Sequence, residues 1–214
     1  MLSAATITAL IDEVNSQFNV ATTPEITLEA NPDDLTPLYL EHLKKAGINR
    51  LSIGVQSFHD AELTLMNRAH SGKQAVQSVV WAQRFFDNIS IDLLYGTPHT
   101  TFSDWKKNLD IALTLDVPHI SSYALTLEPK TALEHFVKKG VVDLLDEQEV
   151  EEQFLFLVDS LTANGYEHYE LSSFGKQGFH SRNNTAYWKG KPYLGIGPSA
   201  HGFDGAQRYW NVSN

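Results

Sequence analysis

Three short segments of the chain alternate apolar and polar residues with a period of two. They span residues 26–29, 51–56 and 89–93. This alternation predicts β-strands, because successive side chains of a strand point to opposite faces. One face of each predicted strand is apolar, and the other carries Glu29, Gln56 or Asp92 near the carboxyl end. We therefore expect three strands that present an acid or an amide on a shared polar face.

Helical periodicity separates these segments. The predicted helices span residues 3–18, 36–47, 60–67, 73–86, 103–115 and 147–164, and further strands are predicted over 120–127 and 166–174. Thr36 before Pro37 predicts one helix start, and Ser103 is the predicted cap of another. Val80 is predicted to be buried. The alternation of helices and strands is typical of an α/β fold with a parallel sheet.

The number of strands predicts an incomplete barrel. Roughly four or five strands are readable, whereas a full parallel (β/α) barrel has eight. Such barrels keep their chemistry at the carboxyl ends of the strands, where Glu29, Gln56 and Asp92 are expected. Residues 1–140 are predicted to form the partial barrel. Residues 141–214 are predicted to form its carboxyl-terminal part with a small mixed extension.

Composition narrows the function. The chain has 214 residues, is 42% hydrophobic, and carries a formal charge of -10 from 26 acids and 16 bases. This acidity disfavours nucleic acids and anionic membranes as partners. No apolar run is long enough for a transmembrane segment and no signal peptide is visible, so a cytoplasmic location is expected. Without cysteine the chain has no disulfide, no thiolate nucleophile and no thiolate metal site.

Some motifs have a simpler interpretation. Residues 195–200 fit G-x-G-x-x-A, but Pro198 and the position near the carboxyl terminus disfavour a dinucleotide site. The nine histidines lack a metal-binding spacing. The polar strand ends could be interior groups that hydrogen-bond only to one another, and Arg68 could form a surface ion pair.

The chemistry of the same four residues favours a ligand. Glu29 and Asp92 accept hydrogen bonds when ionised, Gln56 both donates and accepts, and Arg68 can bind a carboxylate through two bonds. Together they suit a ligand with ribose hydroxyls, an amine and a carboxylate. S-adenosylmethionine has all three groups.

Several segments together resemble the motifs of one family. They are residues 28–34, 49–58, 67–70, 91–98, 166–172 and 193–201. The chain resembles the radical S-adenosylmethionine family of oxygen-independent coproporphyrinogen III oxidases and the related haem chaperones. The resemblance implies that Glu29, Gln56, Arg68 and Asp92 hold S-adenosylmethionine, and that Ala124 makes a weaker backbone contact.

The resemblance also implies a missing part. The family binds a 4Fe-4S cluster through three cysteines in a C-x3-C-x2-C motif, and this chain has no cysteine. By comparison with the family, we expect the chain to lack the first two β/α units and a further domain after Asn214. Such a fragment is expected to be inactive by itself, because it cannot ligate the cluster in the family's way.

Two functions exist within the family. One is radical oxidative decarboxylation of porphyrinogen propionates, and the other is binding of haem and its delivery to an acceptor protein. The sequences at Gln56-Ser57-Phe58 and Arg68-Ala69-His70 resemble the chaperone branch. A non-catalytic α/β binding module is the alternative from another class.

A haem motif is the weakest part of the resemblance. Residues 181–188 resemble the chaperones' H-N-x-x-Y motif, but Asn183 stands where histidine is expected. His180, His201 and Tyr187 are therefore the candidate haem ligands, and Arg182 is the candidate partner of the propionates.

Overall fold

The computed structural model describes residues 2–213. These residues form two compact units, which divide between Phe179 and His180. The helices are α1 Ala4–Gln17, α2 Pro37–Lys45, α3 Asp60–Leu65, α4 Gly72–Ala82, α5 Phe102–Thr114, α6 Ala132–Lys138, α7 Glu147–Ala163 and α8 Arg182–Trp188. Among the described residues, no helix is long and apolar enough to cross a bilayer.

The first unit contains a six-stranded, mostly parallel sheet. Its strands are β1 Thr27–Ala30, β2 Arg50–Gln56, β3 Ile89–Tyr95, β4 His119–Ala124, β5 Glu167–Glu170 and β6 Ser173–Gly175, in the order β1-β2-β3-β4-β6-β5. The first four strands are parallel, and β6 runs antiparallel to both β4 and β5. The sheet is not closed, so the predicted incomplete α/β barrel is confirmed.

One predicted strand is in fact a hairpin. Residues 166–174 were expected to form a single strand, but the chain turns between β5 and β6. The Ser172 amide donates to the Glu170 carboxylate, and Leu171 lies 68% exposed at the turn. The Ser172 amide thus bonds to a side chain instead of continuing the hydrogen bonds between strands. Polar side chains commonly interrupt strands in this way.

The core lies between the apolar face of the sheet and the helices. Leu51, Ile53 and Val55 of β2 are fully buried, as are Ile91 and Leu93 of β3. Alternation within these strands places every second side chain in the core, as the sequence predicts. The remaining polar face is therefore free to form a site.

Helix starts follow the expected chemistry with one exception. Thr36 caps α2, and Pro37 is its first residue, as predicted. The predicted cap of α5 is wrong: Thr101, not Ser103, accepts the Asp104 amide, and the Asp104 carboxylate bonds back to Thr101. This reciprocal pair requires an acceptor three residues after the cap, which Ser103 lacks.

Two other features of the helices differ from what the sequence predicts. Val80 is 36% exposed rather than buried, because the buried face of α4 is formed by Ala75, Ser78, Val79 and Ala82. The helix α6 was not predicted, since its seven residues carry no clear apolar period.

The second unit, His180–Asn214, is small and mixed. It contains α8 and a hairpin of β7 His201–Phe203 and β8 Arg208–Trp210. Tyr193 pairs with Phe203 through two backbone hydrogen bonds, which extends the hairpin by one bridge.

Candidate functional site

A polar cleft lies at the carboxyl ends of the first three strands. It has a volume of about 270 Å³, and its lining consists of Glu29, Ala30, Asn31, Ser52, Gly54, Gln56 and Asp92. Glu29 of β1 pairs in register with Ser52 of β2, which pairs with Ser90 of β3, two residues before Asp92. The period of two therefore brings Glu29, Gln56 and Asp92 into one cleft, as the sequence predicts.

Asp92 is the electrostatic centre of the cleft. Burial, the larger cause, and the neighbouring Glu29 carboxylate, the second cause, together raise the pKa of this carboxyl from 3.8 to about 6. Hydrogen bonds from Ser121 and Ser52 and the charge of Arg50 act in the opposite direction. Asp92 thus changes its charge in a pH range where isolated aspartates are fully ionised.

Gly54 leaves room for the Gln56 amide. A Cβ at Gly54 would lie 3.1 Å from Gln56 Nε2 and 3.6 Å from Asn31 Oδ1. The backbone of Gln56 adopts a left-handed conformation with φ of 66°. This conformation is uncommon for a residue with a side chain, and it ends β2 at the position where the amide enters the cleft.

Arg68 reaches the cleft through Asn31. It lies between α3 and α4, and its Nη1 donates to Asn31 Oδ1 at 3.2 Å. Arg68 also lines a second, more apolar cavity of about 430 Å³, together with Leu94 and Leu125. The guanidinium therefore contacts the cleft residue Asn31 without itself being part of the cleft lining.

Ala124 lies outside the lining of the cleft. It is the last residue of β4, is exposed, and pairs in register with Tyr95. The next amide, that of Leu125, donates to the Tyr95 carbonyl at 2.8 Å.

Other residues of the site were not singled out by the sequence. Asn31 entered the sequence analysis only as part of the motif at residues 28–34, yet it lines the cleft and accepts a hydrogen bond from Arg68. Ser121 and Tyr123 of β4 face Asp92, and the pKa of Tyr123 is raised by burial and then by the Asp92 carboxylate. Extending the alternation to residues 119, 121 and 123 would have found both.

Arg50 is the buried cation of this face. It begins β2, is only 5% exposed, and lies close enough to Asp92 to lower its pKa. Its Nε has no hydrogen-bond partner within the part of the chain that the structure describes. Arg50 therefore offsets part of the like-charge repulsion between Glu29 and Asp92.

The candidate haem residues lie in the second unit. Arg182 is the first residue of α8, directly after its cap Ser181, and His180 precedes that cap. The Tyr187 ring packs edge-on against Tyr193, with centroids 4.4 Å apart, and is 46% exposed. His201 lies in β7 with its ring 6.1 Å from Trp210. Among residues 2–213, no three histidine, cysteine or acidic side chains converge on a potential metal site.

Comparisons with known proteins find relatives of this chain in sequence and in structure. The sequence model of the Radical SAM superfamily matches residues 3–112. The chain is 38% identical over 213 residues to the heme chaperone HemW of Bacillus subtilis, covering 99% of this chain and 56% of the relative. It is 36% identical over 213 residues to HemW of Lactococcus lactis, with the same coverage of both chains. The chain thus spans about half the length of these curated relatives.

One solved structure matches the whole chain. Coproporphyrinogen III oxidase (HemN) from Escherichia coli, described as a radical SAM enzyme, superposes with a TM-score of 0.82. The match covers 100% of this chain and 52% of the oxidase, with 23% sequence identity. At this identity the match shows a shared fold.

Proposed function

This chain belongs to the Radical SAM superfamily, and we propose that its cleft binds S-adenosylmethionine as part of a haem-chaperone protein. The superfamily predicted from the sequence is confirmed by the family model, and the proposed chaperone branch is supported by two heme chaperones that are 38% and 36% identical to this chain. The observation that carries the proposal is the convergence of Glu29, Gln56 and Asp92 in one cleft, with Arg68 beside it.

The charges of the cleft fit the charges of this ligand. S-adenosylmethionine carries a sulfonium, an ammonium group, a carboxylate and two ribose hydroxyls. Two carboxylates suit the hydroxyls and the cationic groups, and the Arg68 guanidinium suits the ligand carboxylate. We assign Glu29 and Asp92 to the ribose, Gln56 and Arg68 to the methionine end, and the backbone of Ala124 to a weaker contact.

The raised pKa of Asp92 gives this binding a pH dependence. Near pH 6 a fraction of Asp92 is protonated, since its pKa is about 6. A cationic ligand whose hydroxyls donate to Asp92 favours the ionised form. We therefore expect binding to release protons around this pH and to strengthen as the pH rises through it.

The residues of this chain do not fit an iron–sulfur cluster. The family's 4Fe-4S cluster is held by cysteine thiolates, and this sequence contains no cysteine. The cluster supplies the electron with which S-adenosylmethionine is cleaved in this superfamily. The chain alone is therefore proposed to bind the cofactor without cleaving it.

The second unit is the proposed place of haem. Its exposed aromatic side chains, among them Tyr187 at 46% and Trp210 at 69%, can pack against a flat apolar ring. Because Asn183 provides no imidazole, His180, His201 or Tyr187 is proposed as the iron ligand, and Arg182 as the partner of a propionate. Delivery to a haem-acceptor protein is the corresponding activity of the whole protein.

Calorimetric titration with S-adenosylmethionine tests the cleft. Arg68→Ala and Asp92→Ala should each weaken binding by about 1.5–3 kcal/mol, because each removes a charge-assisted hydrogen bond. This is a loss of about 10- to 150-fold in affinity. Arg84→Ala, in the exposed turn after α4, and Asp110→Ala, on the exposed face of α5, remove the same charges and should leave the affinity unchanged. Equal affinity in all four variants would refute the assignment of the site.

A further inference from the structure

The backbone at Gln56 is strained. Its φ of 66° lies in the left-handed region, and the Ser57 amide donates to the Val55 carbonyl at 2.8 Å. These two features define a three-residue turn with Gln56 at its apex, a rare turn for a residue other than glycine. Such a conformation persists only when surrounding contacts hold it. The contacts at the Val55 carbonyl therefore decide where the Gln56 side chain points.

His70 provides the second contact to that carbonyl. Its Nε2 lies 3.0 Å from the Val55 oxygen, and the residue is only 4% exposed. A carbonyl oxygen can only accept, so the proton must be on Nε2. The Val55 oxygen thus accepts from both the Ser57 amide and the His70 ring, which fixes the turn from two directions.

The other ring nitrogen of His70 faces a different segment. Nδ1 lies 3.8 Å from an Asp33 carboxylate oxygen. Asp33 belongs to the short 3₁₀ turn Pro32–Asp34, which directly follows Asn31 of the cleft. Nδ1 forms no hydrogen bond among the described residues, so the His70 ring is bonded to the end of β2 and only lies close to the segment that follows β1.

His70 also belongs to the segment that carries Arg68. The Arg68 amide donates to the Leu63 carbonyl at 2.8 Å, and Asn67 before it has φ of 53°. The Arg68 guanidinium then reaches Asn31 at 3.2 Å. A single buried ring thus belongs to the segment of Arg68, bonds to the strand end that presents Gln56 and lies close to the segment of Asn31.

We propose that His70 is a positioning residue, which holds Gln56 and Arg68 in the arrangement that binds the methionine end of S-adenosylmethionine. This inference rests on the proposed function of the cleft, but its structural part does not depend on a ligand. The Val55–Gln56–Ser57 turn should be maintained by His70 in the ligand-free chain as well.

Two substitutions separate positioning from packing. His70→Phe keeps most of the ring volume and removes both nitrogens. His70→Gln keeps an amide donor that can reach the Val55 oxygen. His168→Phe is the control, because His168 Nε2 also lies near a backbone carbonyl, that of Leu171 at 3.2 Å, but at the far edge of the sheet.

Amide hydrogen exchange is the ligand-free measurement. In His70→Phe the Ser57 amide should exchange about tenfold faster, as expected for loss of one buried hydrogen bond, while the Ile53 amide is unchanged. His70→Gln should restore most of the protection. Unchanged Ser57 exchange, or an equal change at Ile53, would overturn the proposal, since the effect would then be absent or merely global. If His70→Phe does not fold, exchange of the Ser57 and Ile53 amides is compared in His70→Gln and Asp33→Asn instead.

Calorimetry with S-adenosylmethionine is the second measurement. His70→Phe should lose about tenfold in affinity, His70→Gln should recover part of it, and His168→Phe should bind as the unmodified chain does. Equal losses in the Phe and Gln variants would assign His70 to packing. If the unmodified chain itself does not bind, the proposed function fails, and hydrogen exchange alone decides whether His70 holds the turn.

Discussion

The polar face of the sheet carries two clusters that differ in how their polar groups are satisfied. The mouth cluster is Glu29, Gln56 and Asp92, which share the cleft. The floor cluster is Ser90, His119 and Tyr169. In the floor cluster, Ser90 Oγ lies 2.7 Å from His119 Nδ1, and His119 Nε2 lies 2.8 Å from the Tyr169 hydroxyl. The two clusters meet on β3, where Ser90 pairs with His119 of β4 and Asp92, two residues further on, pairs with Ser121.

The polar side-chain atoms of the floor cluster have hydrogen-bond partners within it. Ser90 and His119 are completely buried, and both ring nitrogens of His119 have hydroxyl partners. A buried network of this kind stabilises one arrangement of the strands. It therefore corresponds to the structural interpretation that the sequence left open for polar interior groups.

The mouth cluster is charged, and its two carboxylates repel each other. Burial and the Glu29 carboxylate both disfavour the ionised form of Asp92, and a left-handed backbone places Gln56. Perturbed carboxylates and strained backbone are typical of binding sites rather than of structural networks. One sheet thus has polar groups that stabilise the fold and, two residues further along β3, a polar group whose burial costs stability.

The largest expected effect is on the floor cluster. His119→Ala should lower the free energy of unfolding by about 3–4 kcal/mol, because it leaves a cavity and removes the partner of the buried Ser90 hydroxyl. Urea unfolding measures this loss. Ser90→Ala, which removes one hydroxyl, should cost about 1 kcal/mol. If His119→Ala lowered the free energy of unfolding by less than Ser90→Ala does, the structural role of the cluster would be contradicted.

In the mouth cluster, by contrast, a substitution is expected to raise the free energy of unfolding. A carboxyl whose pKa is raised by folding stabilises the protein below its unfolded pKa, and this contribution is lost as the pH rises through the folded pKa. For Asp92 this window runs from 3.8 to about 6. The corresponding penalty above pH 6 is about 3 kcal/mol at most. Asp92→Asn, which stays neutral, should therefore be more stable than the unmodified chain at pH 7.

Urea unfolding at several pH values checks this sign. The stability difference between Asp92→Asn and the unmodified chain should be small at pH 3.5, grow between pH 4 and 6, and stay constant above. Asp110→Asn on the exposed face of α5 is the matched control and should show no such growth. A variant that is less stable at pH 7 would show that the Ser52 and Ser121 hydrogen bonds outweigh burial.

The mouth cluster was largely predictable from the sequence. Alternation in β1, β2 and β3 is sufficient to place Glu29, Gln56 and Asp92 on one face, because the side-chain period of a strand is fixed. The left-handed Gln56 was not predictable, since glutamine has no preference for that conformation and only tertiary contacts such as His70 hold it. Asn31 was missed because it lies beyond the first alternating segment, which ends at Glu29.

The floor cluster was less predictable. Tyr169 reaches His119 only because residues 166–174 form a hairpin, and the sequence predicted one continuous strand. Long-range antiparallel pairing depends on which strands meet, and local periodicity contains no such information. By contrast, the capping pair of Thr101 and Asp104 could have been predicted, because its three-residue spacing is visible in the sequence. The partners of Tyr169 leave no such local pattern.

The smallest expected effect sharpens the comparison within the mouth cluster. Gly54→Ala adds a Cβ that would lie 3.1 Å from Gln56 Nε2, so the amide must shift by a few tenths of an ångström. We expect S-adenosylmethionine affinity to fall by about 1 kcal/mol, the value of one hydrogen bond, which is about fivefold. The free energy of unfolding should change by less, because only the end of a flexible side chain moves.

A double-mutant cycle with Gln56→Ala, measured by calorimetry, isolates the cause. If Gly54 acts through Gln56, the effect of Gly54→Ala disappears once that amide is removed. An effect of the same size in both backgrounds would mean that the added methyl group acts on Asn31 or on the strand itself.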